Sequence, residues 1–483
     1  MSRDQHENTL IGANAEAARL FDQAVEAFSL YRGDPVGLAT QAIEAAPQFS
    51  MARVFMAWLG LLATEPAAAA GARALIAELG QHPRDERVDA HLAALRLVAA
   101  GRWTAAAQLL ERYSSAHPRD FLALHVGHLL DFLRADARSL RDRIASALPR
   151  WSPDMPGFAQ LLGMYAFGLE EAGDYARGEA SGRRAVTLQP LDVWGHHAVA
   201  HVMEMQGHAE DGLGWMIARE PFWGASDNFL KVHNWWHRAL FHLDLGQHEE
   251  ALAIYDGPVR EARSVVAYDM IDASAMLWRL QLLGVDVDGR WQELAQAWDA
   301  HADGRTYAFN DWHAVMAWLG AGRERDVERL TKVWRETGAG TENDRWAAEI
   351  GLPLVEGFSA FWRRDYATAI DRLHGARHFA FAFGGSNAQR DIIDWTLTES
   401  ALRAGDFGLS RALVQERLAL KPHSVTGRGM LARAMASAVP PGFSSAASAI
   451  ASSPNIPIRS QVSTGIASRK SSSTRSVESS RSA

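Results

Sequence analysis

Three stretches decide the fold: AFGLEEAGDYARG (166–178), AHVMEMQGHAEDG (200–212) and ALFHLDLGQHEEA (239–251). Each has a small residue, a glycine seven positions on, and another small residue five further. The sets are Ala166, Gly173 and Gly178; Ala200, Gly207 and Gly212; and Ala239, Gly246 and Ala251. The first two lie 34 residues apart, the period of a helix–turn–helix repeat. The third is displaced by five more residues, which the segment around Glu220–Asn228 can absorb. Glycine ends the first helix of such a unit by taking a left-handed backbone. Small residues let the paired helices approach, and a proline such as Pro190 stops the second helix. Weaker copies carry Gly101, Ala106 and Pro118 upstream, then Gly322, and then Gly405, Ser410 and Pro422 near the end.

The surrounding chain agrees with this reading. It has 483 residues, 48% hydrophobic and 22% charged, and is rich in the strong helix formers Ala, Leu, Glu and Arg. No period-2 alternation or hairpin turn signals strands. The expected fold is all-α: a tetratricopeptide-like helical-repeat superhelix, or solenoid. One array spans 10–437, with its clearest units at 159–192, 193–226 and 232–265. Residues 438–483 hold 15 serines, four prolines and five basic residues against the single acid Glu478. So polar a stretch cannot bury enough apolar surface to offset chain entropy, and it reads as a disordered tail.

Composition also narrows function. Cysteine is absent, which removes disulfides, thiolate metal sites and cysteine nucleophiles. A net charge of −8 argues against a nucleic-acid partner. The polar N-terminus lacks a signal-peptide pattern, and no apolar run approaches the ~20 residues of a membrane span. A cytoplasmic protein is expected.

Histidines concentrate where the repeats are clearest. Eight of the 19 lie between His196 and His248, in WGHHAVAHVMEMQGH (194–208) and HNWWHRALFHLDLGQH (233–248). Trp194, His197, His201 and Glu204 share one helical face, the face that lines the concave groove of a tetratricopeptide array. His233, Trp236 and His237 take matching positions on the next first helix, about 10 Å away. His197/His201 and His233/His237 are both i,i+4 pairs, a spacing that lets two imidazoles share a divalent transition metal. Three readings stay open for the cluster: plain packing, a polar pocket for a peptide or small molecule, and a metal site. Trp235 joins Trp194 and Trp236 as a candidate wall, or as core.

Weaker candidates lie downstream. Asp269 and Asp272 sit near a helix start, where capping is the simpler role. His313 enters the first turn of a helix opened by Asn310 and Asp311. Arg390 follows the turn Gly384–Gln389 and is a possible anion contact.

Taken with YRGDPVGLATQAIEAAPQFSMARVF (31–55), NFLKVHNWWHRALFHLDLG (228–246), EEALAIYD (249–256), FNDWHAVMAWLGAG (309–322) and GGSNAQRDIIDWTLTESALRAG (384–405), the chain resembles the tetratricopeptide repeat protein 38 family. The resemblance covers about residues 12–435. One departure is Asn387, where the family has a His before Ala-Gln-Arg-Asp. The resemblance implies a repeat protein and brings no assigned catalytic residue. The function expected first is therefore a binding or interaction protein with a His/Trp-lined groove for a peptide or small molecule. The alternative is a metal-dependent or general-base enzyme using the cluster at 197–237.

Overall fold

The computed structural model describes residues 2–287 and 289–436. Among them are 24 α-helices. The strands are a two-residue antiparallel pair, Ser2–Arg3 with Thr9–Leu10, and an isolated bridge between Arg32 and Asn228. The Ser-rich stretch expected to form a tail lies outside the described residues.

Helical hairpins follow one another along the chain. Phe158–Glu171 pairs with Tyr175–Leu188, Val193–Met205 with Ala209–Trp223, and Lys231–Asp244 with His248–Ile254. Gly173, Gly207 and Gly246 separate the partners at φ +81°, +72° and +75°, a conformation that costs a residue with a Cβ about 1 kcal/mol or more. The small residues act as expected. A Cβ on Gly212 would stand 2.3 Å from the Phe241 ring of the next hairpin.

The hairpins form two layers. First helices such as Phe158–Glu171, Val193–Met205, Ala267–Leu282 and Ala308–Gly320 are buried nearly all round. Second helices such as Tyr175–Leu188 and Glu324–Glu336 bury one stripe and expose the rest, the pattern of an outer layer. Trp236, Trp278, Trp298 and Trp312 are fully buried between them.

A solenoid held only by neighbouring repeats would show contacts close in sequence. This chain adds many distant ones. Tyr268 Oη donates to the Leu62 carbonyl (3.2 Å), Asn310 Nδ2 to the Thr64 carbonyl (3.0 Å) and Tyr307 Oη to the Leu133 carbonyl (2.8 Å). The Glu342 carboxylate accepts from the Thr104 backbone (3.0 Å) and hydroxyl (2.6 Å). The inserted loop after Trp223 docks on the first helices: Phe229 N–H donates to the Tyr31 carbonyl (2.8 Å). From the other end, Lys421 reaches Glu204 (3.6 Å), and Asn387 N–H donates to Glu171 (2.8 Å).

These ties correct the expectation of an open groove. The face expected to line it is interior: His201, Trp236, His237 and His313 are 0% exposed. The helix Asn387–Ala404 packs against Val193–Met205 and Ala267–Leu282 and helps to cover that face. Among the described residues, no helix is long and apolar enough to cross a membrane.

Candidate functional site

Two adjacent first helices build the site. On Val193–Met205 the four-residue spacing stacks His197 over His201. On Lys231–Asp244 it stacks His233 over His237. The four rings meet. Centroids are 4.3 Å apart for His197/His201, 4.8 Å for His197/His233, 4.4 Å for His201/His237 and 4.8 Å for His233/His237. One nitrogen from each lies within 4.8 Å of the others, and Nε2 of His197 is 3.0 Å from Nε2 of His233.

Carboxylates fix two of these rings from behind. His233 Nδ1–H donates to Asp272 Oδ2 (2.8 Å) and His237 Nδ1–H to Glu204 Oε2 (3.0 Å). His201 Nδ1 faces Glu170 Oε2 at a longer 3.5 Å. A proton held on Nδ1 leaves the Nε2 lone pair free to bind elsewhere. Neither nitrogen of His201 has a hydrogen-bond partner among the described residues, nor do Nε2 of His237 and Nδ1 of His197. Burial lowers His201 to about 4, and lowers His197 and His237 well below the ordinary imidazole value. All three rings are therefore neutral, the form that binds metal.

Most of the remaining wall is aromatic. Trp194 packs on His197 (4.9 Å), and Trp236 stacks on His233 (5.3 Å, 14°). A narrow cleft lined by Phe132, Phe229, Tyr268 and Gln389, among others, reaches His197, His201 and His233. Its cavity volume is about 30 Å³, roughly the share of one water molecule in the liquid. That is room for an ion or a water beside the rings.

The structure thus brings together Trp194, His197, His201, Glu204, His233, Trp236 and His237. Others fall elsewhere. His313 bonds the Phe309 carbonyl of its own helix through Nδ1 (2.8 Å) and packs against Phe309 and Trp312. Arg390 is held by the chain itself, against Glu171 (3.3 Å) and the Asn387 side chain (2.8 Å). Trp235 packs edge-on against Trp223 (5.2 Å) with Arg238 over its face, outside the cluster.

Two carboxylates were not assigned to the site by sequence. Asp272 reads as a helix cap, but its helix begins at Ala267, so it lies too deep for that and serves His233. Glu170 gave a signal in the repeat register: it stands 34 residues before Glu204, in the equivalent place of the preceding first helix. Burial and the neighbouring Glu204 raise Glu170 to about 8, while Arg390 opposes them.

No family model matches the chain. Among solved structures it is similar to the APC/C hetero-tetramer Cut9-Hcn1, at 13% identity and TM-score 0.42 over 87% of this chain and 76% of that one. It is similar to the human IFIT1 dimer with m7Gppp-AAAA, at 12% identity and TM-score 0.41 over 91% and 96%. Yeast Tom70 follows at 12% identity and TM-score 0.34 over 87% and 88%.

Proposed function

We propose that His197, His201, His233 and His237 bind one divalent transition metal ion at the centre of this repeat array, and that the ion is the functional centre. One observation carries the reading: four imidazoles from two adjacent helices each bring a nitrogen within 4.8 Å of the others, with Asp272 and Glu204 held against Nδ1 of His233 and His237. Each unpartnered nitrogen of His201 and His237 costs about 1–3 kcal/mol in the core, as do the unpartnered nitrogens of His125, His128 and His313 away from the cluster. A metal at the cluster lowers that cost for His201 and His237. Without cysteine the donor set is imidazole with supporting carboxylate, which suits zinc, iron, copper or nickel.

An ion held by these four imidazoles would supply Lewis acidity, and an activated water only as a further ligand beyond them. Around it, Asp272 and Glu204 orient the rings, Trp194 and Trp236 exclude bulk solvent, and the cleft past Tyr268 gives access. The enclosed volume favours an ion over an organic molecule beside the rings. A peptide or small-molecule partner would engage the cleft mouth or another surface of the array. Membership of the tetratricopeptide repeat protein 38 family, a single array over 10–437 and a cytoplasmic location are part of this proposal, supported by the sequence motifs.

The test is metal content. Purified full-length chain is incubated with Zn(II), Fe(II), Mn(II), Co(II), Ni(II) or Cu(II), desalted, and analysed by inductively coupled plasma mass spectrometry. About one equivalent of at least one metal is expected, with loss in His201→Ala and His237→Ala. Metal below a tenth of an equivalent for every ion would overturn the proposal.

A further inference from the structure

The cleft leading to the imidazoles has a composition that selects its occupant. Phe132, Trp194, Phe229 and Tyr268 give it aromatic walls. Phe229 forms its lip, 49% exposed, and meets Tyr268 edge-on at 5.9 Å. Neither Lys nor Arg lines the cleft, and Asp269 is the one carboxylate that does. An anionic ligand would find no side-chain counter-charge there. A cationic one would find both a carboxylate and ring faces, the combination that recognises ammonium groups.

Asp269 is free for this role. The groups around it are the Ser264 hydroxyl, which is hydrogen-bonded to it, and Asp272, His233 and Arg260 at longer range. Arg260 is committed to Glu293 (2.7 and 2.9 Å) and His233 to Asp272 (2.8 Å). Asp272 and Glu204 are already bonded to the imidazoles, and Glu204 also pairs with Lys421 at 3.6 Å. Among the described residues, no Lys or Arg forms an ion pair with Asp269, a partly desolvated carboxylate in the cleft wall. Burial raises its carboxyl to about 6, consistent with a carboxylate that lacks a cation.

We infer that the cleft binds the ammonium head of a small alkylamine, with Asp269 as its counter-ion and Phe229 and Tyr268 against its carbon chain. This names a ligand class for the cleft that leads to the proposed metal site and rests on that reading for the ion that fills the space beside the rings. The ion takes the small volume beside the rings, so the head lies further out against Asp269, with the chain at the mouth beside Phe229.

The experiment is isothermal titration calorimetry on full-length, zinc-loaded protein at pH 7, with n-butylammonium chloride, 1-butanol and sodium butyrate as the probes. Butylammonium is expected to bind at least tenfold more tightly than the other two. Asp269→Asn is expected to weaken it tenfold or more with zinc content and melting temperature unchanged. Phe229→Ala, a change at an exposed lip, is expected to weaken it about threefold. Butyrate or butanol binding as well as butylammonium would overturn the inference, as would an Asp269→Asn variant that binds it normally. Failure of the metal reading is separately visible as absence of zinc. The same titrations on the metal-free chain then judge the cleft alone: an Asp269-dependent ammonium preference supports the inference, and its absence overturns it.

Discussion

At the scale of single residues, the decisive feature is which nitrogen of each imidazole is occupied. The spacing of His197 with His201 and of His233 with His237 was legible in the sequence, because a helix places i and i+4 on one face. Their carboxylate partners were less so, since Asp272 and Glu170 come from other helices and only packing brings them near. Asp272→Asn tests that support. It keeps a hydrogen-bond acceptor for His233 Nδ1–H but removes the charge, and loss of such a partner lowers metal affinity about 10–100-fold. Competition against a chromophoric chelator would read this, and unchanged affinity would place Asp272 outside the site's function.

A second residue-scale expectation concerns pH. Burial raises the Asp192 carboxyl from 3.8 to about 7. A raised folded-state value means that its contribution to stability is full below about pH 4 and lost as pH rises through about 7. Asp192→Asn removes that loss while keeping a good residue at the helix start. Relative to the parent, the variant should gain on the order of 2 kcal/mol between pH 5 and pH 8. Urea melts at the two pH values measure it, and an equal difference at both would contradict the assignment.

At the scale of elements, the repeat register was plain in the sequence because it rests on backbone geometry that few residues tolerate. Gly173, Gly207 and Gly246 all adopt the left-handed conformation their positions require. The second small residue of each unit is a matter of packing. Gly212→Ala would drive a methyl group into Phe241 and should cost about 1–3 kcal/mol. Adding Phe241→Leu should return part of it by making room. Thermal melts of the single and double variants check this, and a neutral single change would show that the hairpins are not in such close contact. In the sequence, the five extra residues before the third unit show only as slack. In the structure they carry Asn228 and Phe229 onto Tyr31 and Arg32, and Phe229 onto the lip of the cleft.

At the scale of the whole molecule, the fold class was legible and the closure was not. Local periodicity specifies a hairpin and its neighbour, but nothing local says that Thr104 will meet Glu342 or that Lys421 will meet Glu204. These ties turn the expected groove into an interior, and with it a row of groove candidates into a buried cluster. Glu342→Ala deletes the acceptor of the Thr104 backbone and hydroxyl and should cost about 1–3 kcal/mol. Its melting temperature reports this directly, and an unchanged value would make the contact incidental to closure.

The closed interior gives the histidine cluster its chemistry. Burial keeps His197, His201 and His237 neutral, Asp272 and Glu204 stay aligned on His233 and His237, and solvent is limited to the cleft. X-ray absorption at the zinc edge of loaded full-length protein tests this most directly. The account expects a first shell of nitrogen at about 2.0–2.1 Å with the outer-shell pattern of several imidazoles. A shell of water oxygens without imidazole scattering, or no retained zinc, would contradict it.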